Sequence, residues 1–187
     1  MKWEKLYSPT YTLLKVELEA GESITSEPGA FVWGKGNYEI KTQTLGVGAA
    51  ILRALFARES LFLNTFIAKE KSELAFAPVF PGNIQAISLN NSELLVQDSS
   101  YLAHSGNISV GIGFRGIRGF VANPYSGFFW LKLSGSGITF VNGFGAIEVI
   151  ELAPGEKITI DNNHFVAMDS RIKWNIKTFG GIKSFLF

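Results

Sequence analysis

The chain has 187 residues, 17 Lys and Arg against 16 Asp and Glu for a formal net charge of +1, and no cysteine. Such a balance offers no whole-molecule field to nucleic acid or an anionic membrane, and the missing thiols exclude disulfides, thiolate zinc sites and a cysteine nucleophile. The length suits a single domain over residues 1–187, able to bury roughly 70% of its unfolded surface.

The opening MKWEKLYSPTY places Trp3, Glu4, Lys5 and Tyr7 where a secretory apolar run would lie. Further on, every long apolar window is broken by charge or turn formers, so no transmembrane segment is expected. The chain reads as soluble, and the absence of thiols fits a cytoplasmic location. The sequons at Asn90 and Asn107 matter only in a secreted chain and are set aside. Twenty glycines, sixteen phenylalanines and many short Val, Ile and Thr runs closed by Gly, Pro, Asn or Ser predict an all-β protein in which helix is the exception.

In chain order, "VELEAGESITSEPGAFV" at 16–32 is the first copy of a gapless unit that returns as "ISLNNSELLVQDSSYLA" at 87–103 and "IELAPGEKITIDNNHFV" at 150–166. Leu18, Leu89 and Leu152 match, as do Glu22, Glu93 and Glu156, and then the acids Glu27, Asp98 and Asp161. Each acid precedes a turn pair and an apolar restart at Phe31, Leu102 or Phe165, so the unit is expected to run strand, turn, strand, turn, strand. An acid at the head of a turn accepts backbone N–H bonds. That structural role is favoured over three carboxylates converging on a cation.

Between the copies lie two related arcs. In "GVGAAILRALFARESLFLNTF" at 46–66, the pairs Ile51/Leu55 and Leu52/Phe56 stand four apart and predict one short helix between residues 47 and 58. Its counterpart "GIGFRGIRGFVANPYSGFFWLKL" at 111–133 has Gly116, Gly119 and Pro124, which argue against a second helix. The arcs proper, 46–58 and 111–121, are too short to cross a bilayer, so each must cap the barrel, pack on another subunit or lie on a membrane surface. Leu52, Arg53, Leu55, Phe56, Ile117, Arg118 and Phe120 are therefore the candidate surface for a homo-oligomer or a docking face; peripheral membrane contact stays open.

At the end, "RIKWNIKT" alternates Ile172, Trp174 and Ile176 against Arg171, Lys173, Asn175 and Lys177 and predicts a half-buried strand. Arg171, Lys173 and Lys177 form a basic stripe that would suit RNA phosphates. The alternation puts Trp174 on the other face, which fits a protected edge strand better, so nucleic acid is disfavoured. "GIGFRG" at 111–116 copies a dinucleotide motif, but Pro124 interrupts the required helix and no acid stands from 131 to 141 to take a ribose. "SGSG" at 134–137 reads as a turn or bulge. The two histidines, His104 and His164, form no metal-ligand spacing and no nucleophile elbow occurs, so no cofactor, metal or catalytic residue is assigned and the chain reads as a non-enzyme.

The segments "EPGAFVWGKGNYEIKT", "ESLFLNTF", "FPGNIQAISL", "LLVQDSSYLAHSGNI" and "GFFWLKLSGSGITFVNGFGAIEVIELAPGEKITIDNNHFVAMDSRI" resemble the altered-inheritance-of-mitochondria family over nearly the whole chain. The resemblance implies a shortened double-stranded β-helix in three tandem pseudo-threefold units, similar to the tryptophan RNA-binding attenuation protein. It implies no catalytic residue, and it departs from the family pattern at "VANPYSGFF". The function expected is that of an assembly or scaffold protein working through protein contacts and membrane-associated complexes, with an RNA- or small-ligand-binding module as the alternative. The expected core is Val16, Leu18, Phe31, Leu89, Leu102, Ile150, Leu152, Phe165 and Trp174.

Overall fold

Period-two alternation builds the first sheet. In β2 (Leu13–Leu18), Leu14, Val16 and Leu18 are fully buried while Leu13, Lys15 and Glu17 lie between them on the outer face. The computed structural model describes residues 1–44, 62–114 and 129–175. Within these, β2 pairs antiparallel with β1 (Lys2–Leu6) and β7 (Ser72–Phe76), and β7 pairs with β4 (Phe31–Lys35). On the outer face Lys15 reaches Glu4 on one neighbour and Glu73 on the other, at 3.6 and 3.8 Å. These exposed pairs set register more than stability.

The second sheet runs in the order β11 (Ala167–Asp169), β8 (Gly82–Gln97), β10 (Phe129–Phe144), β9 (Tyr101–Phe114), β3 (Ser23–Ser26), β6 (Phe62–Ala68), β5 (Tyr38–Thr44). All its pairings are antiparallel. Two apolar cores result. The first gathers Leu14, Val16, Ile24, Phe66, Phe76 and Phe140, with Phe31 stacked on Phe66 at 4.9 Å between ring centres; the second gathers Leu89, Leu94, Val96, Tyr101, Leu131 and Leu133.

One bend makes the two cores possible. Gln97 pairs opposite Trp130 and Tyr101 opposite Val141, so the end of β8 and the start of β9 lie at opposite ends of β10. A straight strand would separate those ends by roughly 36 Å at the usual rise, whereas the link from Gln97 to Tyr101 can span only about 14 Å. The three long strands must therefore fold over together. They do so at one level: Asn91 (φ 48°) in β8, Gly106 (φ 100°) in β9 and Gly135 (φ 132°) in β10, where the register also shifts between Gly135 and Gly137. The Asn91 amide donates to the Ser136 hydroxyl at 2.9 Å and pins the crease. The bulge lies in β8, where Asn90 and Asn91 stand opposite the single Ser136, so "SGSG", expected as a turn or bulge, runs on as strand within β10; the first two glycines of "GIGFRG" lie within β9.

One turn of the expected unit recurs in two of its three copies. Glu22 accepts the Glu19 amide at 2.9 Å and Glu156 accepts the Ala153 amide at 2.8 Å, each closing the same turn, with Gly21 and Gly155 at φ 86° and 84°. Glu93 makes no such turn. It lies inside β8 and pairs with Lys132 at 2.7 Å, because Ser92 stands where the left-handed glycine would be and the strand runs on through Asn91. Among the described residues the third copy carries its turns but no ladder strand before β11.

Val16, Leu18, Leu89 and Leu102 are buried as expected, and Phe31, Leu152 and Phe165 are half-buried. Ile150 and Trp174 are corrections, at 49% and 41% exposure. The residues from Arg171 to Asn175 form no strand, so alternation there does not translate into an inward face; Trp174 lies instead against Trp130, 4.6 Å between ring centres. The expected helix at 47–58 and the candidate surface Leu52, Arg53, Leu55, Phe56, Ile117, Arg118 and Phe120 fall outside the described residues.

A Cβ at Gly135 would collide with the Asn107 carbonyl oxygen, whereas one at Gly111 meets nothing nearer than the Lys132 carbonyl oxygen at 3.9 Å. Gly135→Ala is expected to lose about 2–4 kcal/mol in urea unfolding, from the left-handed backbone plus the clash, and Gly111→Ala less than about 1 kcal/mol. Equal losses would mean that the crease imposes no special demand.

Candidate functional site

Folding at the crease returns the end of β8 to the start of β9, and with it come the acids of the first two copies. Glu27 follows β3, its amide bonded to the Leu102 carbonyl at 3.0 Å; Asp98 opens the 3-10 turn Asp98–Ser100 that joins β8 to β9. Burial first and the charge of Asp98 second push the Glu27 carboxyl up to about 8. The third acid takes no part. Asp161 is exposed, accepts the Asn163 amide at 3.1 Å and lies 3.9 Å from His164, as a turn-capping residue does.

Tyr101 and His104 complete the cluster through a backbone irregularity. Residues three apart on a regular strand face opposite sides. The register of β9 against β10 shifts between Phe140 and Val141, leaving Leu102 as the extra residue, and this puts both rings on one side. The Tyr101 hydroxyl donates to the Thr25 carbonyl at 3.2 Å and lies 2.6 Å from His104 Nδ1. The single phenol proton serves one of these contacts at a time: directed at Thr25 it leaves the oxygen to accept from a His104 Nδ1–H, and directed at His104 it donates to a bare Nδ1. Burial holds the His104 imidazole down at about 4; burial first and the Glu27 charge second push the Tyr101 phenol well above its ordinary value. At neutral pH the cluster is a protonated Glu27 beside a neutral phenol and a neutral imidazole. It can hold and yield a proton, but none of the three lines the surface groove formed by Tyr11, Thr12 and residues 77–82.

That groove belongs to the opposite kind of surface. Tyr11, Gly82 and Gly145 each stand seven residues before the matched leucines Leu18, Leu89 and Leu152, and the backbone joins them: Tyr11 bridges Gly82 in parallel, Thr12 N donates to the Gly82 carbonyl at 3.1 Å and Gly145 N to the Pro81 carbonyl at 3.4 Å. Asn83 Oδ1 locks the first two loops, accepting the Ser8 and Thr12 hydroxyls at 3.2 Å each and its neighbour Ile84's amide at 2.8 Å. Tyr11, Val79 and Phe80 line the groove and Tyr7 and Phe144 stand on the segments joined to it; all five are 71–83% exposed.

The basic stripe is neutralised in part. Arg171 Nε and its guanidinium Nη2 grip Asp169 at 2.9 and 2.6 Å, and the Arg171 amide bonds the same carboxylate at 2.9 Å. The Arg171 contacts hold the Asp169 carboxyl well below its usual range. Lys173 is exposed, and Lys177 lies outside the described residues. The Glu27, Asp98, Tyr101 and His104 cluster escaped the sequence reading. Its one sequence signal was the equivalence of Glu27 and Asp98; the Leu102 bulge leaves none.

The sequence matches the family model described as Mitochondrial biogenesis AIM24 over residues 3–187. It is 29% identical over 181 residues to an uncharacterized protein of Streptococcus pyogenes serotype M6, spanning 93% of this chain and 73% of that protein. A crystal structure of a Streptococcus pyogenes protein superposes with a TM-score of 0.79 at 28% identity, covering 99% of this chain and 83% of that one.

Folding raises the Glu27 carboxyl from 4.5 to about 8, so its stabilising contribution is complete below pH 4.5 and is lost as pH rises through 8. Folding lowers His104 from 6.5 to about 4, so its contribution is complete above pH 6.5 and lost as pH falls through 4. The two slopes oppose each other between pH 4.5 and 6.5; above 6.5 only Glu27 acts. The wild type is expected to lose up to ~1.4 kcal/mol per pH unit between pH 6.5 and 8 in urea unfolding, and Glu27→Gln to flatten that decline. A decline unchanged in the variant would remove Glu27 as its source.

Proposed function

The chain belongs to the mitochondrial biogenesis AIM24 family, and on that premise we propose that it is a non-enzymatic assembly protein that acts through protein contacts at its apolar end. One observation carries the reading: Tyr7, Tyr11, Val79, Phe80 and Phe144 stand 71–83% exposed on three loops tied together by backbone and Asn83 hydrogen bonds. Exposure of contiguous large apolar groups on an ordered surface marks an interaction site. The reading places the working surface there, beside whatever the arcs at 46–58 and 111–121 contribute, and a reducing cytoplasmic compartment or a membrane-associated complex suits it equally.

Acid–base chemistry is the weaker proposal because the cluster that could move a proton and the groove that could seat a ligand are different places. The RNA reading is weakened by the Asp169 grip on Arg171. We extend the proposal to architecture: three pseudo-symmetric units in an attenuation-protein-like β-helix. The junction of Tyr11, Gly82 and Gly145 and the shared turn at Glu22 and Glu156 support that extension.

Phe80→Asp tests the surface. At 73% exposure Phe80 adds little to the core, so the melting temperature is expected to stay within about 2 °C. Chemical crosslinking followed by affinity purification of the full chain is expected to recover associated protein from its own cells about tenfold less with the variant than with the wild type. Equal recovery of the same species would overturn the assignment of this surface.

A further inference from the structure

The apolar end has a composition that narrows its partner. Across the segments 7–12, 77–83 and 143–145, loops together with the adjoining ends of β8 and β10, there is no Asp, Glu, Lys, Arg or His, although such residues are interspersed along the flanking strands. At their edge the Lys5 ammonium is already bonded to the Ile84 carbonyl at 3.0 Å, so a charged peptide or an anionic lipid surface would find no counter-charge within these segments, and its own charges would lose water for little return. A surface of the same neutral character leaves no ion stranded. Size points the same way. Four aromatic rings and a valine at 71–83% exposure present roughly 700 Å², close to the ~800 Å² that each partner contributes to a standard stable interface and above what a monomer ordinarily leaves bare.

We propose that this face is covered by a second copy of the chain, in a twofold dimer that sets the apolar end of one molecule against that of the other. The inference rests on the assembly reading above and names its partner. Twofold symmetry makes the patch self-complementary: the loops at 7–12 and 77–83 of one copy meet the same loops of the other, and residues near the axis meet themselves. Asn83 serves this use, since its hydrogen bonds to Ser8 and Thr12 hold Tyr7, Tyr11 and Phe80 in one fixed surface before association and so reduce the ordering cost.

Because the chain has no cysteine, a single introduced thiol reports on one surface alone. Val79→Cys is expected to give a disulfide-linked dimer on mild oxidation, whereas Ser99→Cys, exposed in the turn between β8 and β9, is expected to give none. Sedimentation equilibrium of the wild type is expected to show twice the 20.5 kDa chain mass, and Phe80→Asp to show a folded monomer whose melting, unlike that of the wild type, does not depend on protein concentration. A wild type that stays monomeric at tens of micromolar overturns the proposal, as does an oligomer whose mass Phe80→Asp leaves unaltered. If the monomeric wild type still recovers a different protein in a Phe80-dependent way, the second-copy inference fails while the assembly reading stands; if it recovers none, both fail. Phe80-dependent flotation of the monomer with phosphatidylcholine vesicles would likewise overturn it in favour of a lipid surface.

Discussion

Three hydrogen-bonded strands must bend at the same level for this chain to have an interior. β8, β10 and β9 are bonded to one another along most of their length, so none can turn unless its neighbours turn with it. Each of the three has a way to do so. Asn91 accepts a left-handed backbone that only small polar residues and glycine take readily, Gly106 and Gly135 supply it without a side chain, and the extra β8 residue at Asn90–Asn91, opposite Ser136, absorbs the difference in path length. The crease divides one long ribbon into two packed faces. It also allows Gln97 and Tyr101, opposite ends of β10 by register, to be joined by one turn.

The polar interior follows from that geometry. A carboxyl group is seldom left half-buried against another acid without a strong counter-charge. Here Glu27 meets Asp98 because the crease closes, and the proton it retains near neutrality replaces the missing cation. The neutral imidazole and phenol behind it are the response of two more titratable groups to the same dry surroundings. The result is a cluster in which Glu27, Tyr101 and His104 are neutral near pH 7. The apolar end, by contrast, has large side chains in water on a backbone too well bonded to collapse over them.

The β class was legible because composition and turn chemistry act locally, and the alternation in β2 maps directly onto a buried and an exposed face. The turn at Glu22 and Glu156 was legible for the same reason: glycine and glutamate at fixed offsets make the same bonds wherever they recur. The middle copy misled because one substitution, Ser92 at the glycine position, converts a turn into continuous strand while every flanking residue still matches. Trp174 misled because alternation predicts an inward face only when a sheet exists to define inward, and residues 171–175 are not in one. The pairing of Tyr101 with His104 was hidden by a bulge, which shifts facing by one residue without changing composition. The apolar end was hidden differently: its loops lie far apart in sequence, and nothing in "YSPTYT" or "APVFPGN" announces the other.

The order of strands within the two sheets also bears on how the chain emerges from the ribosome. Every strand of the first sheet lies between residues 2 and 76, so β1, β2, β4 and β7 can assemble while the rest is still being synthesised. β3 cannot be finished then. It finds β6 on one side early, but its other partner, β9, begins only at Tyr101 and is itself held by β10, which ends at Phe144. For the time needed to add those residues the nascent chain carries an open strand edge, with Ile24 and Phe66 awaiting the half of their core that Leu102 and Phe140 supply. The charged rim of the early sheet, Glu4, Lys15 and Glu73, keeps one outer face soluble during that interval, and the vulnerable surface is the inner one.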